Sequence, residues 1–205
     1  MKYTELATKE VTKKVIEELG KRHVEAFVVE NASIALAKIK ELIPKGASVM
    51  NGASVTLEQL GFVDYLKEGK HDWNNLHAGI VAEKDPVKQG ILRNQAVLSE
   101  YYLGSVHALA ETGEFVIASN TGSQLSHIVY TSPNLIFVVS TKKIVPTLAD
   151  AMNRLMEHVI PLEDAQMKRK YGVGTAPMKV LTFNGENAFY KRKVRMILVN
   201  EDLGF

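Results

Sequence analysis

The chain has 205 residues, 46% of them hydrophobic and 23% charged, with a formal net charge of +2 and no cysteine. That length suits one α/β domain with enough buried apolar surface to need no covalent staple. The missing thiols exclude disulfides, thiolate catalysis and cysteine-held zinc or iron–sulfur clusters in this chain, and the near-balanced charge gives no long-range attraction to nucleic acid.

The opening stretch MKYTELATKEVTKK holds no apolar h-region, so no signal peptide is expected. No apolar run approaches the roughly 18 residues a membrane span needs. A cytoplasmic location fits both features and the absence of cysteine. Residues 4–20 carry Leu6, Val11, Val15, Ile16 and Leu19 near helical spacing and stop at Gly20. HVEAFVVE (23–30) reads as a strand, 32–43 as a helix ended by Pro44-Lys45-Gly46, and ASVMN (47–51) as a second strand. This alternation predicts βαβ units and a parallel sheet. Residues 52–62 turn into a short helix with Ser54 as N-cap, and 62–69 form another helical turn.

Residues 70–84 read as a surface excursion covering a cleft, and 85–99 as a helix with Pro86 in its first turn. A strand over 101–111, a turn at Thr112-Gly113 and a partner strand over 114–119 follow. NLIFVVS (134–140) is the clearest buried strand, and 145–159 a helix with Leu148, Met152, Leu155, Met156 and Val159 on one face. Residues 161–174 read as a long loop with one helical turn. MKVLTFN (178–184) and VRMILVN (194–200) read as a closing antiparallel pair, with Lys191, Arg192, Lys193 and Arg195 as a solvated strand edge. The expected fold is α/β: an open mixed, largely parallel sheet flanked by helices. One domain over 1–205 is the simplest division, with 1–84 as a candidate N-terminal lobe.

Two polar stretches carry the candidate chemistry. Gly52, Ser54, Thr56 and Glu58 follow a strand and open a helix, where unpaired N–H groups and hydroxyls attract a carboxylate or phosphate. Asn120, Thr121, Gly122 and Ser123 form a second polar loop before apolar Leu125, Ile128 and Val129. Open α/β sheets bind ligands beyond their strand ends, so the pair predicts a pocket for a small anion. His107 and Glu111, an even number of residues apart, would share one strand face and form a proton-transfer pair; Thr112 adjoins them. A structural histidine and a turn acid are the competing readings. Lys142 and Lys143, after the buried strand, are candidate partners for the anion. His71 and His77 lack a metal-ligand spacing, so no metal site is expected.

The segments MNGASVTLEQLGFVDYL, GSVHALAETGEFVIASNTGSQLSHIVY, NLIFVVSTKKIVPTLADAMNRL and VRMILVNEDLGF, taken in order, resemble the short single-domain members of the lactate-utilisation (LUD) domain family. The resemblance implies a fold like that of the ribose-phosphate isomerase, glucosamine-phosphate deaminase and CoA-transferase group. It also implies a link to bacterial conversion of L-lactate to pyruvate, beside iron–sulfur and oxidoreductase partner proteins. It names no cofactor for this chain. His107 stands where relatives often have Asn, Thr112 where many have Asp, and Asn120-Thr121-Gly122-Ser123-Gln124 replaces a Gly-Thr-Gly-Asn-Arg-like loop. The missing arginine removes a fixed fork for carboxylate or phosphate.

Three functions follow. The first is a lactate-utilisation protein that binds a small anion, with Glu111 as acid or base. The second is a stand-alone CoA-transferase-like or sugar-phosphate enzyme with Glu111 as nucleophile, resting on the short Glu111-Thr112-Gly113 similarity. The third is a non-catalytic regulatory or scaffold subunit. A homo-oligomer is compatible with all three.

Overall fold

Most α-helices of the chain start on a side chain that takes up a free backbone N–H. In the computed structural model, which describes residues 3–205, α1 (Lys9–Lys21) starts behind Thr8, whose hydroxyl accepts from Val11 N at 3.3 Å. Asn31 caps α2 (Ala32–Leu42), Ser54 caps α3 (Val55–Gln59) and Thr147 caps α8 (Leu148–Arg154) in the same way. Asp85 caps α6 (Pro86–Ala96), with Pro86 in its first turn. The short helices α4 (Phe62–Glu68) and α5 (Leu76–Ala82) fill the connection between α3 and α6.

The large sheet holds six parallel strands: β1 (Val24–Val29), β2 (Ser48–Asn51), β3 (Asn74–Asn75), β4 (Tyr101–Gly104), β7 (Asn134–Ser140) and β10 (Lys193–Val199), in spatial order β1-β10-β7-β4-β2-β3. It is an open sheet. β7 and β10 occupy its middle, in register from Lys193↔Asn134 to Val199↔Ser140. Strands covered on both faces need apolar residues at every position, which is why both read as continuous apolar runs. Leu135, Phe137 and Val139 face one core with Met196 and Leu198; Ile136 and Val138 face the other with Ile197 and Val199.

A second sheet lies against the first of these faces. It contains β5 (Ala108–Ala110), β6 (Phe115–Ser119), β8 (Ile144–Val145) and β9 (Lys179–Phe183), in order β8-β5-β6-β9. Phe115 ties the two sheets together. Its ring stacks on Phe183 at 4.6 Å and meets Phe137 of the large sheet edge-on at 5.3 Å. On the outer face of the small sheet, Ala108, Val116 and Ala118 pack on Ala151 of α8 and on Leu155 and Val159 of the π-turn that follows it. α2, α3 and α4 cover the outer face of the large sheet.

Four expectations are corrected. β9 and β10 are not an antiparallel pair: β9 pairs with β6 in the small sheet, and β10 lies parallel between β1 and β7. The basic stretch is therefore not a solvated edge; Arg195 is buried and its Nε donates to Glu25 of β1 at 3.1 Å. Arg192 donates to the carbonyls of His127, Ile128 and Val129, which close the π-turn His127–Thr131 after the one-turn helix α7 (Ser123–Ser126). Residues 101–111 are two strands, because the chain leaves the large sheet after Gly104 and joins the small one at Ala108. Residues 161–174 are mostly helical: α9 runs Ile160–Tyr171 and ends on Gly172 in the left-handed conformation.

The turn at Thr112-Gly113 is present. Gly113 has φ 93°, and a Cβ there would meet Arg22 Cδ at 2.8 Å and the Glu18 backbone at 3.1 Å. Arg22 also holds this hairpin, its Nε donating to Thr112 O at 2.8 Å while Nη2 pairs with Glu114. Gly113→Ala is expected to cost about 1–3 kcal/mol, through the left-handed φ and the displaced Arg22; urea denaturation measures it, and an unchanged midpoint would show that the turn relaxes freely.

Candidate functional site

A cleft of about 340 Å³ opens beyond the C-terminal ends of β2, β4 and β7. Its first wall is Gly52 to Thr56, where β2 passes into α3. Its second is Ser105 to His107, where the chain crosses between sheets. Its third is Ala118 to Thr121 with Ser123 and Gln124. Lys143, Gly204 and Phe205 close the back. Glu163, Gln166, Met167, Lys170 and Tyr171 of α9 form the far wall, repeating at helical spacing on one face.

Lys143 is the best-defined polar group of this cleft. Its residue is 4% exposed. Its Nζ donates to Thr56 Oγ1 at 3.0 Å, Ser105 Oγ at 3.1 Å and the Val106 carbonyl at 3.2 Å. Among the described residues it forms no ion pair. Burial first, then the charges of Arg154 and Lys142, hold its proton affinity well below the usual lysine range. Thr56 is 1% exposed, so its hydroxyl is committed to this spot. Gly204 passes so close that a Cβ would lie 2.8 Å from Lys143 Nζ.

Arg154 of α8 lies behind His107 and is fully buried. It donates to the His107 carbonyl and, at 2.8 Å, to the Phe205 carbonyl, so it fixes two segments of the cleft. Its Nε has no hydrogen-bond partner. The Lys143 amine and the Arg154 guanidinium therefore stand buried at the back of one polar cleft, and no Asp or Glu side chain among the described residues pairs with either.

His107 lines the cleft, but its Nδ1 accepts from Ala118 N at 3.1 Å. Burial, then Lys143 and Arg154, lowers its pKa to about 3, so it is a neutral imidazole at pH 7. It does not meet Glu111. That residue sits on the hairpin outside the cleft, with its carboxylate 2.9 Å from Lys14 Nζ. Thr112, Gly122 and Lys142 also lie outside the lining. Thr112 pairs with Glu114, Gly122 N donates to Ser119 Oγ at 2.9 Å, and Lys142 pairs with Asp202 and the Gly204 carbonyl. Gly52, Ser54, Thr56, Glu58, Asn120, Thr121, Ser123 and Lys143 do line it. Several of their hydroxyls serve the local backbone: Ser54 accepts from Leu57 N at 3.3 Å, and Thr121 from Ser123 N at 3.3 Å. α3 and α7 are too short to add much dipole. Residues 70–84 contribute nothing to the lining; His71 and Trp73 stack there at 5.5 Å. No group of three or more potential metal ligands occurs among the described residues.

Sequence reading missed the α9 wall, Ser105, Gln124 and Arg154. The 163, 166/167, 170 spacing was the available signal for α9. Glu163 is half-buried and burial raises its pKa, with Glu58 adding to the rise and Lys170 opposing it. Lys170 reaches Glu58 across the mouth at 3.4 Å, both side chains being over 40% exposed. Lys170→Ala is expected to change stability by less than about 1 kcal/mol, since exposed pairs contribute little; a larger loss in urea denaturation would make this bridge a structural tie.

The six-stranded parallel sheet flanked by helices, with a polar cleft past its strand ends, defines the class of an open α/β fold. The chain belongs to the LUD domain family, whose model matches residues 12–179. As a family it is associated with lactate utilisation. The fold is similar to the crystal structure of a DUF162 family protein from Deinococcus radiodurans, with a TM-score of 0.56 and 13% identity, covering 96% of this chain and 100% of that one. Among curated proteins none matches the chain. No helix among the described residues is long and apolar enough to cross a membrane.

Proposed function

We propose that this protein serves lactate utilisation by binding a small anionic metabolite, a carboxylate or phosphate, in the cleft between the Gly52–Thr56 turn, the Asn120–Ser123 loop and α9. The observation that carries this reading is Lys143: a buried amine set among neutral oxygens, with no carboxylate partner, at the back of a polar cleft. Burying a cation without a counter-ion is costly, and an anion in the cleft compensates it. Arg154 adds positive potential from behind. Oxidoreductase or iron–sulfur partner chains would supply redox groups, since this chain has no cysteine to ligate a cluster.

A thermal-shift screen with L-lactate, pyruvate, inorganic phosphate, sugar phosphates and CoA thioesters tests the reading. A ligand at a hundredfold excess over its dissociation constant stabilises by about 2.7 kcal/mol. A saturable rise with one class supports the cleft as its site. A flat response to every compound would sink the proposal and leave a scaffolding role.

A further inference from the structure

Lys142 and Lys143 are neighbours with opposite fates. Lys142 turns to a carboxylate, Asp202, and a carbonyl. Lys143 turns inward to Thr56 Oγ1, Ser105 Oγ and the Val106 carbonyl, all within 3.2 Å and none charged. A packing role would be met by methionine or leucine. An ion-pair role would need an acid. What this surrounding favours is a free amine. Both hydroxyls can accept from an ammonium or donate to a neutral amine, so the site satisfies either protonation state. Arg154, fully buried and held by two carbonyls, disfavours the ammonium from behind. A desolvated lysine beside another cation is the usual way an amine becomes a nucleophile at neutral pH.

We propose that Lys143 reacts covalently: its Nζ adds to the carbonyl carbon of a small 2-oxo acid in the cleft and forms an imine. This rests on the reading that the cleft binds a small anion. The nitrogen lone pair forms the C–N bond while the carbonyl π pair moves to oxygen. The nitrogen gives up a proton and the oxygen takes one, leaving a carbinolamine. Protonation of its hydroxyl breaks the C–O bond, water leaves, and the nitrogen lone pair closes the C=N bond. The sum to this point is amine, carbonyl and one proton giving an iminium and water; loss of the remaining N–H proton to a neighbouring hydroxyl returns the borrowed proton and leaves the imine, with no oxidant or reductant. Thr56 and Ser105 hydroxyls stand within 3.1 Å of the nitrogen to pass protons. Glu163 on the facing helix lines the same cleft, its pKa raised by burial. The carboxylate of the 2-oxo acid neutralises the iminium, so the acid group and the carbonyl are both required. A cleft of about 340 Å³ suits a ligand of this size.

The test incubates the whole chain with pyruvate, then with glyoxylate, and reduces each mixture briefly with borohydride. Intact-mass and peptide analysis are expected to find one reduced adduct, on Lys143. L-lactate, which has the acid group but no carbonyl, should suppress it. Lys143→Arg cannot form an imine and should lose the adduct. A melting rise in the native chain with no adduct would overturn the imine and leave the anion site standing. Neither a rise nor an adduct would overturn both. Adducts scattered over exposed lysines with Lys143 unmodified would also overturn the imine. Since the native chain alone decides between these outcomes, a misfolded variant does not rescue the proposal.

Discussion

Lys143→Met is expected to leave the fold intact and to weaken anion binding about 10- to 150-fold. The affinity figure follows from one lost charge-assisted hydrogen bond, about 1.5–3 kcal/mol. Stability is expected to move the other way. Methionine fills nearly the same buried volume without a charge to desolvate, and replacing a buried charge with an apolar group of similar shape is often neutral or stabilising. The Ser105 hydroxyl keeps the Val106 carbonyl, 3.4 Å from its Oγ, as a partner. Urea denaturation at pH 7 should therefore show a midpoint at or above that of the native chain, while titration calorimetry shows weakened binding. The pH dependence is a second readout. Burial holds the pKa of free Lys143 well below the ordinary range, and a bound anion raises it. Binding therefore takes up a proton between those two values, and affinity falls as pH rises through that window. In Lys143→Met this slope should vanish. Undiminished affinity in the variant would remove Lys143 from the site, and a collapsed midpoint would make it a structural residue.

The sequence made the centre of the fold easy to read and its edges hard. NLIFVVS is β7 to the residue, because a strand covered on both faces leaves no alternation to misread. β10 carries the same signal, yet apolarity alone does not say which strands it pairs with; only tertiary structure inserts it between β1 and β7. YYLGSVHALAE looks continuous because both halves are buried, and the break at Ser105–His107 is set by the change of sheet. α9 was obscured by Pro161 and by a stripe with no fully buried residue: it shields a cleft and has no core face. The site divided along similar lines. Ser54, Thr56, Thr121, Ser123 and Lys143 follow strands and were visible as polar residues after apolar runs. Glu111 resembled a catalytic acid by its even spacing to His107 and by the short Glu111-Thr112-Gly113 similarity, and Lys14, 97 residues away in sequence, is what pairs with it. Arg154 lay hidden on a helix face that otherwise reads as core.

Acid should unfold this protein well before its carboxylates are all protonated. The ring of His127 is buried, with Ser99 and Ser132 hydroxyls at 3.2 and 3.0 Å from Nδ1 and Tyr102 stacked over it at 4.6 Å. Burial lowers its pKa to about 4, and that of His107 falls to about 3. In the unfolded chain both return to about 6.5. Between those values the unfolded state binds a proton that the folded state refuses, so stability falls as pH drops below 6.5. It goes on falling to about 4 for His127 and about 3 for His107. Each group contributes a slope of about 1.4 kcal/mol per pH unit, so the pair removes several kcal/mol by pH 4.5, a large part of an ordinary folding free energy of roughly 5–15 kcal/mol. Glu163, whose pKa is raised, works in the opposite sense and offsets part of the loss. Urea midpoints from pH 7.5 to 4.5 measure the slope. His127→Asn retains an acceptor for the two serines but does not titrate. It should be less stable at every pH for want of the stacked ring, yet its pH slope should be about half as steep. Parallel curves for the two proteins would mean that His127 takes up its proton while folded, and that Ser99, Ser132 and Tyr102 rearrange to accommodate the charge.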